Sequence, residues 1–575
     1  MRRPSRKGLS LAFVLCANIP LAAQDLHSIG REKPLSFAGG ISVNQIFYAS
    51  SGIASRRDPY SYFASGNFNL ALYGWSVPLS FNFSNQSATF SQPFNQYSLH
   101  PAWKWITAHV GYTSMSFSPY TVNGHVFRGG GIALAPEGNW KVSALYGRFL
   151  KAAEVDTTGS TSRLPSFQRN GYALKATLGN GRNFIDLIIF RAADEQNSVA
   201  PLPDSLGITP QQNLVLSVAG GKTFFKHLLL KAEFAASAIT KDTRADKTDH
   251  EHPLSKAAAF FQPRLSSSYY QAFKTSLDYQ HEGLLIGLAY ERIDPEYRTL
   301  GAYYFNNDLE NITLNISGGL LKGKMNIAAS TGSQRDNLDK TKVSSMRRIV
   351  GSVHVNYIPS ERLNVAASYS SFQTYTNIRP QFQAINQLTP YDNLDTLTFT
   401  QISTNVTLSG MFTFSGRETK KQNVNVNLSW QEAADVQGQV EDHTGTAFYN
   451  LNAGYSINLI PQNMSAALTL SATVNDGPHV HTRIVGPNAS ISKSFFNRKL
   501  RTTLSSSWNN TYTNGEKINT VINARMNGAL AIRNKHNINL SAVMVNRAIE
   551  KETHGSGFTE FTATVGYSYS FGKGK

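Results

Sequence analysis

The stretch FTEFTATVGYSYSF, from Phe558 to Phe571, decides how the rest of the chain is read. Phe561, Ala563, Val565, Tyr567, Tyr569 and Phe571 share one parity, while Thr562, Thr564, Gly566, Ser568 and Ser570 share the other. Period-two alternation of this kind gives a β-strand with one apolar and one hydroxyl face. The stretch exceeds the roughly five or six residues usual in soluble sheets, and its central ten or so suffice to cross a bilayer at a tilt of about 45°. An apolar face suits lipid and a hydroxyl face suits water, but an open sheet edge is not tolerated in hydrocarbon. Many such strands closed on themselves make a transmembrane antiparallel β-barrel, and that all-β fold is the one expected here.

The same signature recurs along the chain. Val77, Leu79, Phe81 and Phe83 alternate with Pro78, Ser80 and Asn82, and Val424, Val426, Leu428 and Trp430 alternate with Asn423, Asn425, Asn427 and Ser429. Connections come in two sizes that take turns. Short ones carry Gly, Pro or Asn, as at Pro101 to Trp103, Pro136 to Asn139, His281 to Gly283 and Asn497 to Arg498, and long polar ones lie near 151–167, 194–210, 241–266, 295–308 and 374–395. Short turns at one end and long loops at the other is the outer-membrane arrangement, with the short turns periplasmic. Keeping that alternation requires a strand between Phe90 and His100, and the tally becomes about 26 strands, with about 24 as the neighbouring even count. Gly129 to Gly131, inside a strand pattern, read as a bulge or a close backbone approach.

Bulk properties agree. Charged residues are 16% of the 575, below the roughly 25% of soluble domains, and the mean hydropathy of -0.27 argues against membrane helices. Arg2, Arg3, Arg6 and Lys7 precede an apolar run from Leu9 to Ile19 and the small residues Ala22 and Ala23, the pattern of a secretory signal peptide over 1–23. A periplasmic segment over 24–35, the barrel over 36–571 and a tail over 572–575 complete the expected organisation. The single cysteine, Cys16, falls in the leader, so the mature chain holds neither disulfides nor cysteine metal sites. The formal charge of +17 favours anionic partners without naming one.

The C-terminal strand resembles the assembly signal of outer-membrane barrels, with Phe571 as the terminal aromatic and Tyr569 and Tyr567 at alternate positions before it. The four residues Gly572 to Lys575 that follow depart from that pattern. The segment YSLHPAWKWITAHVGYTSMSFSPYTVNGHVFRGGGIALAP, Tyr97 to Pro136, resembles one in large, porin-like outer-membrane barrel proteins of the Bacteroidota. These resemblances imply a multi-pass outer-membrane protein of a Gram-negative cell, with lipid and the barrel assembly machinery as partners. Neither implies a substrate.

Chemistry-bearing residues are sparse. Lys175, Lys231, Glu233, Lys274, Asp278, His354 and Arg525 fall on polar strand faces and are expected to line the lumen, where charge selects solutes. Asp249, His250, Glu251 and His252 sit in a long polar segment and read as solvated loop, so no metal and no cofactor is expected. No nucleophile elbow or phosphate loop occurs in its required context, so an enzyme is not expected, nor is a nucleic-acid partner. A barrel of this size would leak, because 16 to 18 strands already make an aqueous channel. The loops at 241–266 and 374–395, through Phe260, Phe261 and Phe382, are expected to fold inward as the plug. The reading is therefore an outer-membrane channel or transport barrel with a restricted lumen. The alternative is an assembly or secretion scaffold for periplasmic or surface proteins, served by a basic rim at Lys322, Lys324, Lys420, Lys421, Arg498, Lys499 and Lys535.

Overall fold

Alternating sequence of this kind forms long strands whose ends are marked by turn residues, and a computed structural model shows how they close. It describes residues 35–73, 75–85, 96–154, 165–203, 206–248, 260–304, 306–340, 347–375, 400–417, 419–437, 440–441, 446–477, 480–533, 535–550 and 556–572. The strands are β1 Leu35–Ser51, β2 Tyr60–Leu72, β3 Trp75–Ser84, β4 Gln96–Leu99 continuing as Ala102–Trp103, β5 Ile106–Ser116, β6 Asn123–Leu134, β7 Trp140–Leu150, β8 Arg169–Asn180 and β9 Asn183–Asp194. Next come β10 Gln212–Phe224, β11 Leu228–Thr240, β12 Ser267–His281, β13 Leu284–Ile293, β14 Leu309–Leu320, β15 Met325–Arg335, β16 Arg347–Ser360, β17 Leu363–Tyr375 and β18 Thr400–Arg417. The last are β19 Lys420–Gln437, β20 Thr446–Leu459, β21 Met464–Asp476, β22 His481–Phe495, β23 Leu500–Thr513, β24 Glu516–Ile532, β25 His536–Ile549 and β26 Phe558–Phe571. Val440–Glu441 only folds back on the end of β19.

Each strand pairs antiparallel with its neighbours in sequence, and β1 pairs with β26 from Gly39 opposite Phe571 to Ser51 opposite Thr559. That last ladder removes the sheet's edges, so the 26 strands form one closed barrel. At the seam Phe571 stacks on Phe37 at 4.8 Å and on Phe68 at 5.7 Å. The aromatic pattern of the final strand thereby becomes a contact across three strands, with Tyr569 5.7 Å from Phe571 and the Tyr567 hydroxyl 2.8 Å from His536 Nδ1.

Parity divides the wall into two faces. Leu187, Val218 and Phe234 lie side by side on β9, β10 and β11, as do Leu230, Leu277, Leu288 and Leu314 on β11 to β14, and all of them are exposed. This is the outward, apolar band. The opposite parity carries Lys175, Asp186, Ser217, Glu233 and Lys274, and contacts between distant hairpins are made there, so it faces the axis.

Two local expectations shift. The turn placed at Pro101 to Trp103 falls after Trp103, because Ala102 pairs with Thr107 and Trp103 with Ile106 while Lys104 takes a φ of 49°. Gly129 to Gly131 make no bulge, since the register runs unbroken through them on both sides. Close approach is their role: a Cβ at Gly129 would stand 2.1 Å from the Tyr146 carbonyl oxygen.

Candidate functional site inside the barrel

Among the described residues, the buried side chains inside the barrel are not spread evenly. The main cluster, including Phe127, Phe149, Phe190, Val215, Ile239, Tyr297 and Leu300, draws its members from residues 117 to 309, the arc from β5 to β14. Two connections at the long-loop end build it. The β5–β6 connection contributes Tyr120 and Val122, and the β13–β14 connection, 294–308, contributes Tyr297, Thr299 and Leu300, all 2% exposed or less.

Hydrogen bonds explain how an irregular segment can be buried there. The Tyr297 hydroxyl donates to the Tyr120 carbonyl at 2.9 Å, the Thr299 hydroxyl donates to the Thr121 carbonyl at 2.7 Å, and the Asn123 amide donates to the Gly301 carbonyl at 3.0 Å. From the wall, Asn213 Oδ1 accepts from the Leu300 amide at 3.1 Å, and the Ser237 hydroxyl donates to the Arg298 carbonyl at 2.7 Å. Backbone polar groups that would each be costly to bury bare are thus satisfied. Gly301 sits where the two connections touch, and a Cβ there would meet the Thr121 oxygen at 2.6 Å and Val122 Cα at 3.1 Å.

Charge follows the same layout. Tyr120 donates its hydroxyl to Glu291 Oε1 at 2.5 Å. Burial first, and then the Glu291 carboxylate, raise its pKa, so the phenol stays a donor. Burial, followed by Glu233, does the same for Tyr297. Lys175 bonds the Phe117 carbonyl at 3.0 Å and pairs with Asp186 at 2.8 Å. Lys231 stands 4.0 Å from Asp278, Lys274 stands 3.7 Å from Glu291, and Glu233 accepts from Ser217 at 2.9 Å. All seven residues expected in the lumen lie on the inward parity. Five of them gather on β8, β11 and β12, while His354 and Arg525 stand apart on β16 and β24. Sequence reasoning misses Asp186, Glu291 and the plug residues of 117–122 and 294–308.

Two of the residues expected to plug the lumen, Phe260 and Phe261, are placed elsewhere. Phe261 is 1% exposed, but it packs on Leu214, Ala238, Ile189, Leu216 and Tyr269. Those side chains are on the outward parity, opposite to Phe190, Val215 and Ile239. Phe260 is 40% exposed, and its carbonyl accepts from Arg191 Nε at 2.6 Å. Phe382 lies outside the described residues, as do 249–252, where the His and acidic residues cluster. Among the described residues no group of three metal-ligating side chains forms.

The other arc has a different interior. Asn427, Asn452 and Ser471 lie side by side on β19, β20 and β21, as do Ser429, Asn450 and Thr473. Thr473 donates to Asn450 at 2.7 Å, Asn450 to Ser429 at 3.3 Å, Asn523 to Ser507 at 3.0 Å and Ser541 to Asn527 at 2.8 Å. This wall of amides and hydroxyls carries little charge. A cavity of about 480 Å³ lies against the charged arc, lined by His109, Lys141, Lys175, Thr177 and Asp186.

No family model matches this sequence, and a search of curated proteins finds no match. Among solved structures the chain is similar to an E. coli P pilus tip assembly intermediate of PapC, PapD, PapK and PapG, at 11% identity and a TM-score of 0.43, covering 92% of this chain and 60% of that one. It is also similar to BauA, the ferric preacinetobactin receptor of Acinetobacter baumannii, at 9% identity and a TM-score of 0.35, covering 93% and 80%. OccAB4 of the same organism matches at 9% identity and a TM-score of 0.29, covering 67% and 96%. At such scores the fold rests on the barrel's own hydrogen-bonded closure, and no cargo follows from the likeness.

Proposed function

We propose that this protein is an outer-membrane channel for small hydrophilic solutes. Its passage would run between a fixed plug, made by 117–122 and 294–308, and the facing wall of amides and hydroxyls. The observation that carries the reading is the docking of the β13–β14 connection against 117–122 and the inner faces of β10 and β11, by hydrogen bonds that satisfy the buried Arg298 carbonyl and Leu300 amide and the carbonyls of Tyr120 and Thr121. A closed barrel with an apolar exterior belongs in a membrane, and a signal-like segment at 1–23 would serve export past the inner one. Short turns would then face the periplasm. A hydrogen-bonding wall with few charged groups suits polar solutes, which exchange water for amides at little cost.

Replacing 296–304 by a short Gly-Ser linker tests this. Single-channel conductance in planar bilayers should rise several-fold while the barrel still assembles. An assembled deletion with unchanged conductance would overturn the plug. The scaffold reading draws on the basic short-turn rim, where Lys322, Lys324, Lys421, Arg498, Lys499 and Lys535 are exposed and Lys420 is half-buried. A barrel that conducts nothing with or without the plug would favour it.

A further inference from the structure

On the long-loop side of the plug lies a cavity of about 380 Å³, lined in part by His125, Arg169, Arg298, Thr299, Tyr303 and Asn307. Its size falls within the roughly 300 to 1,000 Å³ of small-molecule sites. Arg298 is the distinctive group. Its neighbours Tyr297, Thr299 and Leu300 are buried and bonded, and its own carbonyl accepts from Ser237 at 2.7 Å. The backbone therefore holds Arg298 at a fixed point while its side chain stays exposed. Arg169 is different: its Nε and one terminal nitrogen grip both oxygens of Asp194, at 2.7 and 2.9 Å. The Asp194 carboxylate is thus committed to Arg169, and no ion pair or hydrogen bond of the Arg298 guanidinium occurs among the described residues.

Partial burial, and then the like charge of Arg169, hold the Arg298 pKa below the ordinary arginine range, against a smaller opposing pull from the Asp194 carboxylate. A guanidinium pressed by its surroundings in this way gains from an incoming anion, and its fork of donors fits a planar or tetrahedral oxyanion in two places at once. Beside it, the Tyr303 ring stacks on His125 at 4.0 Å, which braces an exposed aromatic surface for the body of a ligand. Asn307 adds an amide at the mouth, its Nδ2 bonded to the Tyr297 carbonyl at 3.1 Å.

We propose that the pocket around Arg298 binds small hydrophilic oxyanions, carboxylate or phosphate, from the long-loop end of the barrel. Binding there needs no passage through the lumen, so the site stands or falls apart from the channel reading.

Isothermal titration of the full-length barrel in detergent at low ionic strength tests it, with glucuronate, inorganic phosphate and glucose as probes. Glucuronate or phosphate should bind, glucose should not, and Arg298→Gln should weaken binding by about tenfold or more, as expected for losing a charge-assisted fork. Binding of glucuronate alone would assign the site to carboxylate-bearing solutes, and binding of both to oxyanions at large. Ala302→Asp, which places a carboxylate in the same lining, should abolish binding by occupying Arg298. The proposal is overturned if neither anion binds the native barrel, if glucose binds as well as glucuronate, or if either variant binds as the native protein does. Failure of Arg298→Gln to assemble would also overturn it, since a guanidinium that makes no hydrogen bond or ion pair among the described residues should be removable without harm.

Discussion

Gly301 is the residue on which the docking of the plug turns. It has no room for a side chain, and the atoms that crowd it are largely backbone, the Thr121 oxygen at 2.6 Å and Val122 Cα at 3.1 Å, so neighbouring rotamers cannot relieve an added methyl. Gly301→Ala should therefore push 294–308 away from 117–122, at a cost of about 1 to 3 kcal/mol for an overpacked site. Conductance should move toward that of the plug deletion. An alanine variant with native conductance and native melting temperature would mean that the two connections do not rest on each other. Tyr297→Phe is the milder partner, removing one buried hydrogen bond to the Tyr120 carbonyl for about 1 kcal/mol, read as a small drop in melting temperature. Neither residue announces itself in the sequence. YRTLGAYYF reads as one more polar loop with aromatics, because burial of Tyr297 depends on an acceptor that lies 177 residues away.

At the scale of elements, strands were legible and the side of the wall on which a loop packs was not. Alternation in β26 or β19 names both faces, since lipid and water ask for different side chains. Phe260 and Phe261 announce burial only, and the outward parity of β9 to β12 offers as good an apolar seat as the lumen does. A better signal lay in NFIDLIIF, Asn183 to Phe190, where Ile185, Leu187 and Ile189 face out while Ile188 and Phe190 face in. A strand apolar on both faces is covered on both, as in buried sheets, and that locates the filled arc. One further tie to the plug is an ion pair, Lys241 to Glu296 at 2.8 Å, with the Tyr270 hydroxyl also donating to Glu296 at 2.8 Å. Hydrogen bonding from Lys241 lowers the Glu296 pKa, and the same bond raises that of Lys241. The Glu296 contribution is then present above the unfolded carboxylate value, about 4.3, and lost as pH falls through the depressed folded value. The Lys241 contribution is present below about 10.4 and lost as pH rises through the raised one. Both groups are largely exposed, so the pair contributes less than about 1 kcal/mol. Conductance should stay flat between about pH 5 and 9 and rise outside that range, in acid by a step that Glu296→Gln removes. A change centred near neutrality would point to a different group.

For the molecule as a whole, the alternation of connection size sets an orientation that can be read on intact cells. Single cysteines at Ser55 and Tyr304, both exposed on long-loop connections, should react with an impermeant thiol reagent. Cysteines at Gly138 and Asn497, on short turns, should stay protected until the cells are broken. Labelling of the second pair and protection of the first would invert the barrel. Closure from β1 to β26, and not the loops, holds the circumference, so each of these variants should keep the heat-modifiable gel mobility of an assembled barrel.

The uneven filling described above has a mechanical consequence. A sheet closed into a hoop bends easily across its strands, and the packed arc from β5 to β14 acts as a brace glued along one side of it. Among the described residues no comparable cluster backs the facing arc, which can then flatten or bow outward without breaking a rung of its ladders. The cross-section should therefore breathe from round to oval, with most of the compliance opposite the brace. A solute slightly too wide would then be accommodated by deformation of the hoop while the plug stays seated, and the width of the opening would follow the lateral pressure of the surrounding membrane.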